Sequence, residues 1–262
     1  MTMDPVCRQI RVDILDASRE SGHGHIPTCF SIVEMAYASY QVMRHDPKNP
    51  AWNERDIFIL SKGHASLGLY CVLARLGYFA IERVKTFGAF MSDFGCHPDR
   101  LKVPGVEVST GSLGHGIGVG VGMALAFKIS KSPRRVFCLI GDGEANEGSV
   151  WEAVMVAVDR KLSNLTILYD SNASQMRCMH LAAPAGRFKA FGCDTVEVDG
   201  HDAGALAKAL KAASDRPRVL VADTKKGFGC KTLVENVYEW HRRSPTEQEH
   251  KMLLAELNAQ TI

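Results

Sequence analysis

The chain has no apolar run approaching the roughly 20 residues that a bilayer crossing needs, which argues against an integral membrane protein. Its first residues, Met1-Thr2-Met3-Asp4-Pro5, carry no basic segment followed by an apolar stretch, so no secretory leader is expected. Charge of one sign is lacking too: 31 Lys and Arg against 29 Asp and Glu leave a formal net charge of +2. That balance predicts neither a nucleic-acid partner nor a membrane surface. There is no C-x-x-C pair among the eight cysteines, at positions 7, 29, 71, 96, 138, 178, 193 and 230. Scattered in this way, they predict reduced and mostly buried thiols rather than a disulfide framework. Internal repeats, low-complexity tracts and long linkers are missing as well. These absences predict a cytoplasmic protein with a single domain over residues 1–262.

What is there is an alternation of helical and buried-strand patterns. Val6 to Ser21 reads as an amphipathic helix with Ile10, Val12, Ile14 and Leu15 among charges. Ser31 and Glu34 have the spacing of a capping box, predicting a helix to about Val42. Asp56–Leu60 is a short apolar run, followed by a helical pattern from Ala65 to Leu76. Arg135–Ile140 and Leu165–Tyr169 are apolar nearly throughout, as in strands buried on both faces, with a helix from Ser149 to Lys161 between them. This is a βαβ unit and predicts a parallel sheet. The pattern recurs with a strand at Thr195–Val198, a helix from Ala203 to Ser214 and a strand at Arg218–Ala222, and a helix over 247–259 closes the chain. The fold class expected is α/β, a doubly wound, mostly parallel sheet with helices on both faces.

In such sheets ligands bind beyond the carboxyl ends of the strands. The segments there are Ser61-Lys-Gly-His64, the Gly141–Gly148 loop, Asp170–Gln175 and Thr224–Gly229. Asp142 and Asn172 stand thirty positions apart, each just after a buried strand. Neighbouring parallel strands would bring their oxygens together, and a carboxylate, an amide oxygen and a backbone carbonyl suit a hard cation such as Mg²⁺. Gly141 and Gly143 leave room for a diphosphate, and the next helix would offer it N–H groups. Taken alone, Gly141-Asp-Gly143 is equally a turn and Asn172 an Asx-turn residue. Lys62, Lys225 and Lys226 could add positive field, or simply solubilise.

The stretch from Gly141-Asp-Gly-Glu-Ala-Asn-Glu-Gly148 through Trp151-Glu-Ala153 to Tyr169-Asp-Ser-Asn172 resembles the thiamine-diphosphate motif of transketolases. Ser61-Lys-Gly-His-Ala65, Thr110-Gly-Ser-Leu-Gly-His-Gly116 and Glu239-Trp-His241 are similar to three further segments of that family, in the same order. The resemblance covers about residues 6 to 255. It implies thiamine diphosphate held by Mg²⁺, for which Ca²⁺ or Mn²⁺ could substitute, with Asp142, Asn172 and the carbonyl of Ser174 as metal ligands. It further implies that Gly141, Gly143, Glu144, His64 and His241 approach the cofactor, and that Gly111 and Leu113 contact its aminopyrimidine ring. His25, His64, His97 and His115 would surround the reactive carbon and the substrate, joined in catalysis by His241 and by Glu147, the acidic residue that couples paired cofactors.

His23 competes with His25 and is expected to be a bystander. His45, His180, His201 and His250 match nothing and are expected at the surface. For His97, in Cys96-His-Pro-Asp99, a plain turn is the alternative.

The resemblance is to the N-terminal subunit of split transketolases. It therefore implies that the partner is a C-terminal pyrimidine-binding subunit, that the two form an α2β2 heterotetramer, and that the reaction is two-carbon ketol transfer between sugars or sugar phosphates. Arg242-Arg243-Ser244-Pro245 and Met176-Arg-Cys-Met179 depart from the family pattern and leave the sugars open. Decarboxylation of a 2-oxo acid with aldehyde condensation, and a non-catalytic scaffold, are the alternative readings.

Overall fold

The computed structural model describes residues 3–175, 179 and 181–259. Cys178, His180 and residues 176–178 of the divergent Met176–Met179 segment lie outside them.

The chain opens with α1 (Pro5–Ser21), whose first turn is capped by Asp4: its carboxylate accepts from the Val6 and Cys7 amides at 2.7 and 3.2 Å. Next come α2 (Ile26–Ser31), α3 (Val33–Val42), β1 (Ile57–Leu60) and α4 (Ser66–Arg75). After a long connection follow α5 (Gly116–Ile129), β2 (Val136–Gly141), α6 (Gly148–Asp159) and β3 (Leu165–Ser171). The remainder is α7 (Pro184–Phe191), β4 (Asp194–Asp199), α8 (Ala203–Lys211), β5 (Arg218–Asp223), α9 (Lys231–Glu235) and α10 (Glu247–Ala259).

The five strands pair in the order β1-β2-β3-β5-β4, every pair parallel. Because side chains alternate along a strand, the sheet separates two cores. Phe58, Leu60, Phe137, Leu139, Leu168 and Leu220 face the side covered by α1 to α4, α8 and α10. Ile59, Val136, Cys138, Ile140, Ile167 and Val219 face α5, α6 and α7. Each such side chain contributes about 1.5–3 kcal/mol on burial, which is why these runs are apolar on both faces. The doubly wound architecture is the one expected. The register sets Gly141 opposite Asp170 and Ser171 opposite Asp223, so the loops after β1, β2, β3 and β5 emerge along one edge.

Two local expectations are overturned. Ser31 and Glu34 form no capping box: α2 ends at Ser31, and Ile32 leads into α3 without a side-chain cap. Tertiary partners outcompete the cap. The Ser31 hydroxyl reaches Asp170 Oδ2 at 2.7 Å, and the fully buried Glu34 is held by both Nη atoms of Arg11 at 2.6 and 2.8 Å. His201 is not a surface residue. Its side chain is 8% exposed, its ring stacks on Phe228 at 3.7 Å, and Nδ1 lies 3.3 Å from Glu34. His45 and His250 are half-buried too, within 3.2 Å of Tyr78 Oη and 2.8 Å of Asp16 respectively. Helices α5 and α7 were not anticipated: the Gly-rich start of α5 hides its period, and α7 is short.

Six of the seven described cysteines are buried and all seven are free. Among the described residues, no helix is long and apolar enough to cross a membrane.

Candidate active site

The loops at the carboxyl edge enclose a cleft of about 380 Å³. From the loop after β1 come Lys62 and His64; from that after β2, Gly141, Asp142, Gly143 and Glu144; from that after β3, Ser174; from that after β5, Lys226. His25 at the start of α2 and His241 near the end of the chain close one side. His97, Gly111 and Leu113 complete the lining. Residues scattered over more than 200 positions thus meet because four parallel strands end together.

Asn172 is buried behind Ser174 rather than lining the cleft, and its Oδ1 accepts from the Ser174 amide at 3.1 Å. The Ser174 hydroxyl lies between that oxygen and Asp142 Oδ1, 3.2 Å from the latter. The two side-chain oxygens therefore address one point, and the carbonyl of Ser174 belongs to the same turn. Ala173 makes the turn possible by adopting φ 59°, a left-handed conformation that is uncommon for a residue with a Cβ. Hard oxygen donors of this kind fit Mg²⁺. The amide N–H of Gly143 is already engaged by Asp142 Oδ1 at 2.7 Å.

The Glu144 carboxylate belongs to the cleft lining and accepts the Ser61 hydroxyl, the Gly114 amide at 2.9 Å and the Gly141 amide at 3.1 Å. It is 2% exposed, and burial raises its pKa against the pull of those three donors. Its work is to tie together three segments that shape the cleft.

Three of the four imidazoles, His25, His64 and His241, are pushed toward the neutral form. Burial, reinforced by Lys62 and His25, pushes His64 down to about 2. Burial and then His241 push His25 down to about 4. Their rings are 5.6 Å apart, and His25 and His241 are 5.5 Å apart. His241 is lowered by burial and by Lys226, whose Nζ is 3.2 Å from its Nδ1. An ammonium has only protons to offer, so Nδ1 accepts and Nε2 carries the ring proton. Lys226 itself is pushed down to about 8 by burial and by Lys62. It is fixed there because the Gly227 amide, in a turn with φ 87°, donates to Pro27 O at 3.0 Å. Lys226 thus brings a cationic donor suited to a phosphate oxygen to the cleft wall, beside the Asp142 carboxylate.

His115 and Glu147 stand apart. His115 is exposed in an adjoining groove that it shares with His97 and Gly111. Glu147 is exposed at the amino end of α6. His23 is exposed, and only His25 of that pair lines the cleft. Lys225 is exposed, unlike Lys226. The divergent Arg243 lies flat over buried Trp240, 3.8 Å from the ring centre, and binds Glu249. Sequence reasoning missed Asp170, Ser31 and Thr224, whose roles arise only from packing. Asp170 was visible as a carboxylate two positions before Asn172, but nothing in the sequence placed Lys62 beside it.

Comparison with known proteins completes the description. The family model described as "Transketolase, thiamine diphosphate binding domain" matches residues 3–253. An apulose-4-phosphate transketolase subunit from Actinobacillus succinogenes is 38% identical over 94% of this chain and 92% of its own length. A 6-deoxy-6-sulfo-D-fructose transketolase subunit from Clostridium sp. is 35% identical over 95% of this chain and 93% of its own. The transketolase of Homo sapiens is 37% identical over 96% of this chain, which spans 41% of that protein. The crystal structure of transketolase from Campylobacter jejuni superposes with a TM-score of 0.87 at 30% identity, covering 97% of this chain and 42% of that one.

Proposed function

Because this chain belongs to the family of transketolase thiamine-diphosphate-binding domains, we propose that it is the diphosphate-binding subunit of a two-component transketolase. It transfers a two-carbon ketol unit from a ketose or ketose phosphate to an aldose. The observation that carries this reading is the convergence of Asp142 and Asn172 oxygens at a cleft lined by four imidazoles. All of residues 1–262 act as one domain in the cytoplasm.

Asp142, Asn172 and the carbonyl of Ser174 would hold Mg²⁺, which in turn fixes a diphosphate against Gly143. Lys226 and the Nε2–H of His241 add donors for its oxygens. When bound, thiamine diphosphate supplies the electron sink for cleaving the bond beside a ketose carbonyl. The chain's contribution is placement and proton handling. Neutral His25 and His64 can each hydrogen-bond a substrate hydroxyl through the bare ring nitrogen or a developing alkoxide through the ring N–H. His97 and Leu113 also line the cleft. His115 and Glu147, outside the cleft, face whatever docks there.

The relatives of matching length are named as transketolase subunits, which supports a partner carrying the pyrimidine-binding half in an α2β2 assembly. The test is calorimetric titration of thiamine diphosphate and Mg²⁺ into the chain co-expressed with that partner. Mg²⁺-dependent binding that Asp142→Ala abolishes, with the fold of the uncomplexed chain largely intact by circular dichroism, is the expected result. Undiminished affinity in Asp142→Ala would remove the metal assignment.

A further inference from the structure

Behind the cleft lies a buried ion pair that the chemistry above does not use. Asp170, the sixth residue of β3, is fully buried and Lys62, after β1, is 2% exposed. The carboxylate also accepts the Thr224 hydroxyl on Oδ1, and on Oδ2 the Ser31 hydroxyl at 2.7 Å and Asn172 Nδ2 at 2.8 Å. Asn172 Nδ2 also donates toward Ser31 Oγ at 3.2 Å.

A carboxamide has two ends of nearly equal shape, and only its oxygen can bind a cation. Turned around, the Asn172 oxygen would face the Asp170 carboxylate, an acceptor against an acceptor in a site buried from solvent. The amide nitrogen faces hydrogen-bond acceptors only in the observed orientation. We propose that Asp170, with its charge balanced by Lys62, is a positioning residue that dictates which end of the Asn172 carboxamide faces the cation site. The pair also explains how a second carboxylate can sit beside a metal ligand without adding net charge there. Lys62 runs under Gly141, its Nζ 3.8 Å from where a Cβ would be, so the same ion pair supports the backbone just before Asp142. Four separate segments, α2 and the ends of β1, β3 and β5, meet in this one network.

This inference rests on the Mg²⁺ site proposed above. Asp170→Asn offers Asn172 an N–H as readily as an oxygen and so removes the preference. The assay is a Mg²⁺ titration of thiamine diphosphate binding to the co-expressed complex, with binding in EDTA as the metal-free reference. Asp170→Asn is expected to raise the half-saturating Mg²⁺ concentration about 10- to 100-fold, the usual effect of losing a group that orients a metal ligand. Binding in EDTA stays unchanged. Added to Asn172→Ala, the substitution should cost less than about twofold more, because its effect passes through that amide.

A wild-type response in Asp170→Asn, or full multiplicative losses in the double variant, overturns the proposal while leaving the Mg²⁺ site intact. If the wild-type complex itself shows no Mg²⁺-dependent binding, the functional reading fails and takes this one with it. Should Asp170→Asn leave Lys62 unpaired and the chain unfolded, Asp170→Asn with Lys62→Met removes both charges and is read in the same way. Ser31→Ala, which deletes the second amide acceptor and one donor to Asp170 but leaves the carboxylate in place, should give a smaller shift of the same sign.

Discussion

Replacing Glu144 with Gln changes one oxygen to an NH₂ in a pocket that contains only donors. In the native chain Oε1 faces the Ser61 hydroxyl and the Gly114 amide, while Oε2 faces the Gly141 amide. Whichever oxygen is replaced, a backbone N–H then meets an N–H. Losing one hydrogen bond to a carboxylate costs about 1.5–3 kcal/mol. Glu144→Ala leaves both backbone amides unmatched at about 1–3 kcal/mol each, hence about 2–6 kcal/mol in all.

Against a total stability of about 5–15 kcal/mol, both losses are measurable by urea denaturation of the uncomplexed chain. Hydrogen exchange should localise them to Gly114 and Gly141. A sign follows for pH. Burial raises the folded-state pKa of Glu144 above its unfolded value of 4.5, so the native chain binds that proton more tightly than the unfolded chain does. The stability that this titration contributes is therefore fully present below 4.5 and is lost as pH rises through the raised value. A Gln variant within about 0.5 kcal/mol of wild type at every pH, inside the range of ordinary surface changes, would refute the reasoning.

His25 and His64 titrate at about 4 and about 2 in the fold against 6.5 unfolded. The unfolded chain therefore takes up protons first, and stability should fall as pH drops from 6.5 toward 4. His25→Asn should make that slope shallower in pH-dependent melting; an unchanged slope would show that His25 is not held neutral. At Gly63 a Cβ would lie 2.8 Å from the backbone at Thr110 and Gly111, where ordinary contact begins at 3.4 Å. Gly63→Ala must displace that wall of the cleft by 3.4 − 2.8 = 0.6 Å, at about 1–3 kcal/mol for overpacking. Weakened thiamine diphosphate binding and a lowered melting temperature are expected, and neither should occur if the loops yield freely. Lys226→Met removes the donor that fixes the His241 tautomer and much of what lowers its pKa. The His241 titration followed by NMR should move upward, and no movement would mean that burial alone sets it.

The sequence by itself determined the sheet. Runs such as Val136–Ile140 and Leu165–Tyr169 are apolar at every position, and only a strand covered on both faces uses such a run in so few residues. It determined the meeting of Asp142 and Asn172 as well, because each follows one of those strands, so the chain direction alone sends both to the same edge. The histidines were legible as a set through the motifs around them, although His115 and Glu147 fall outside the cleft. Tertiary structure alone decided everything that depends on a partner from another segment. Ser31 reads locally as a cap but serves Asp170, 139 positions away. Glu144 reads as a cofactor contact, and its partners Ser61 and Gly114 are set only by the fold. His201 reads as a surface residue but is buried against Glu34 and Phe228. Local spacing fixes what a residue can do with its own turn or strand. Which donor reaches a buried carboxylate depends on where unrelated strands end, and that is a property of the packed sheet.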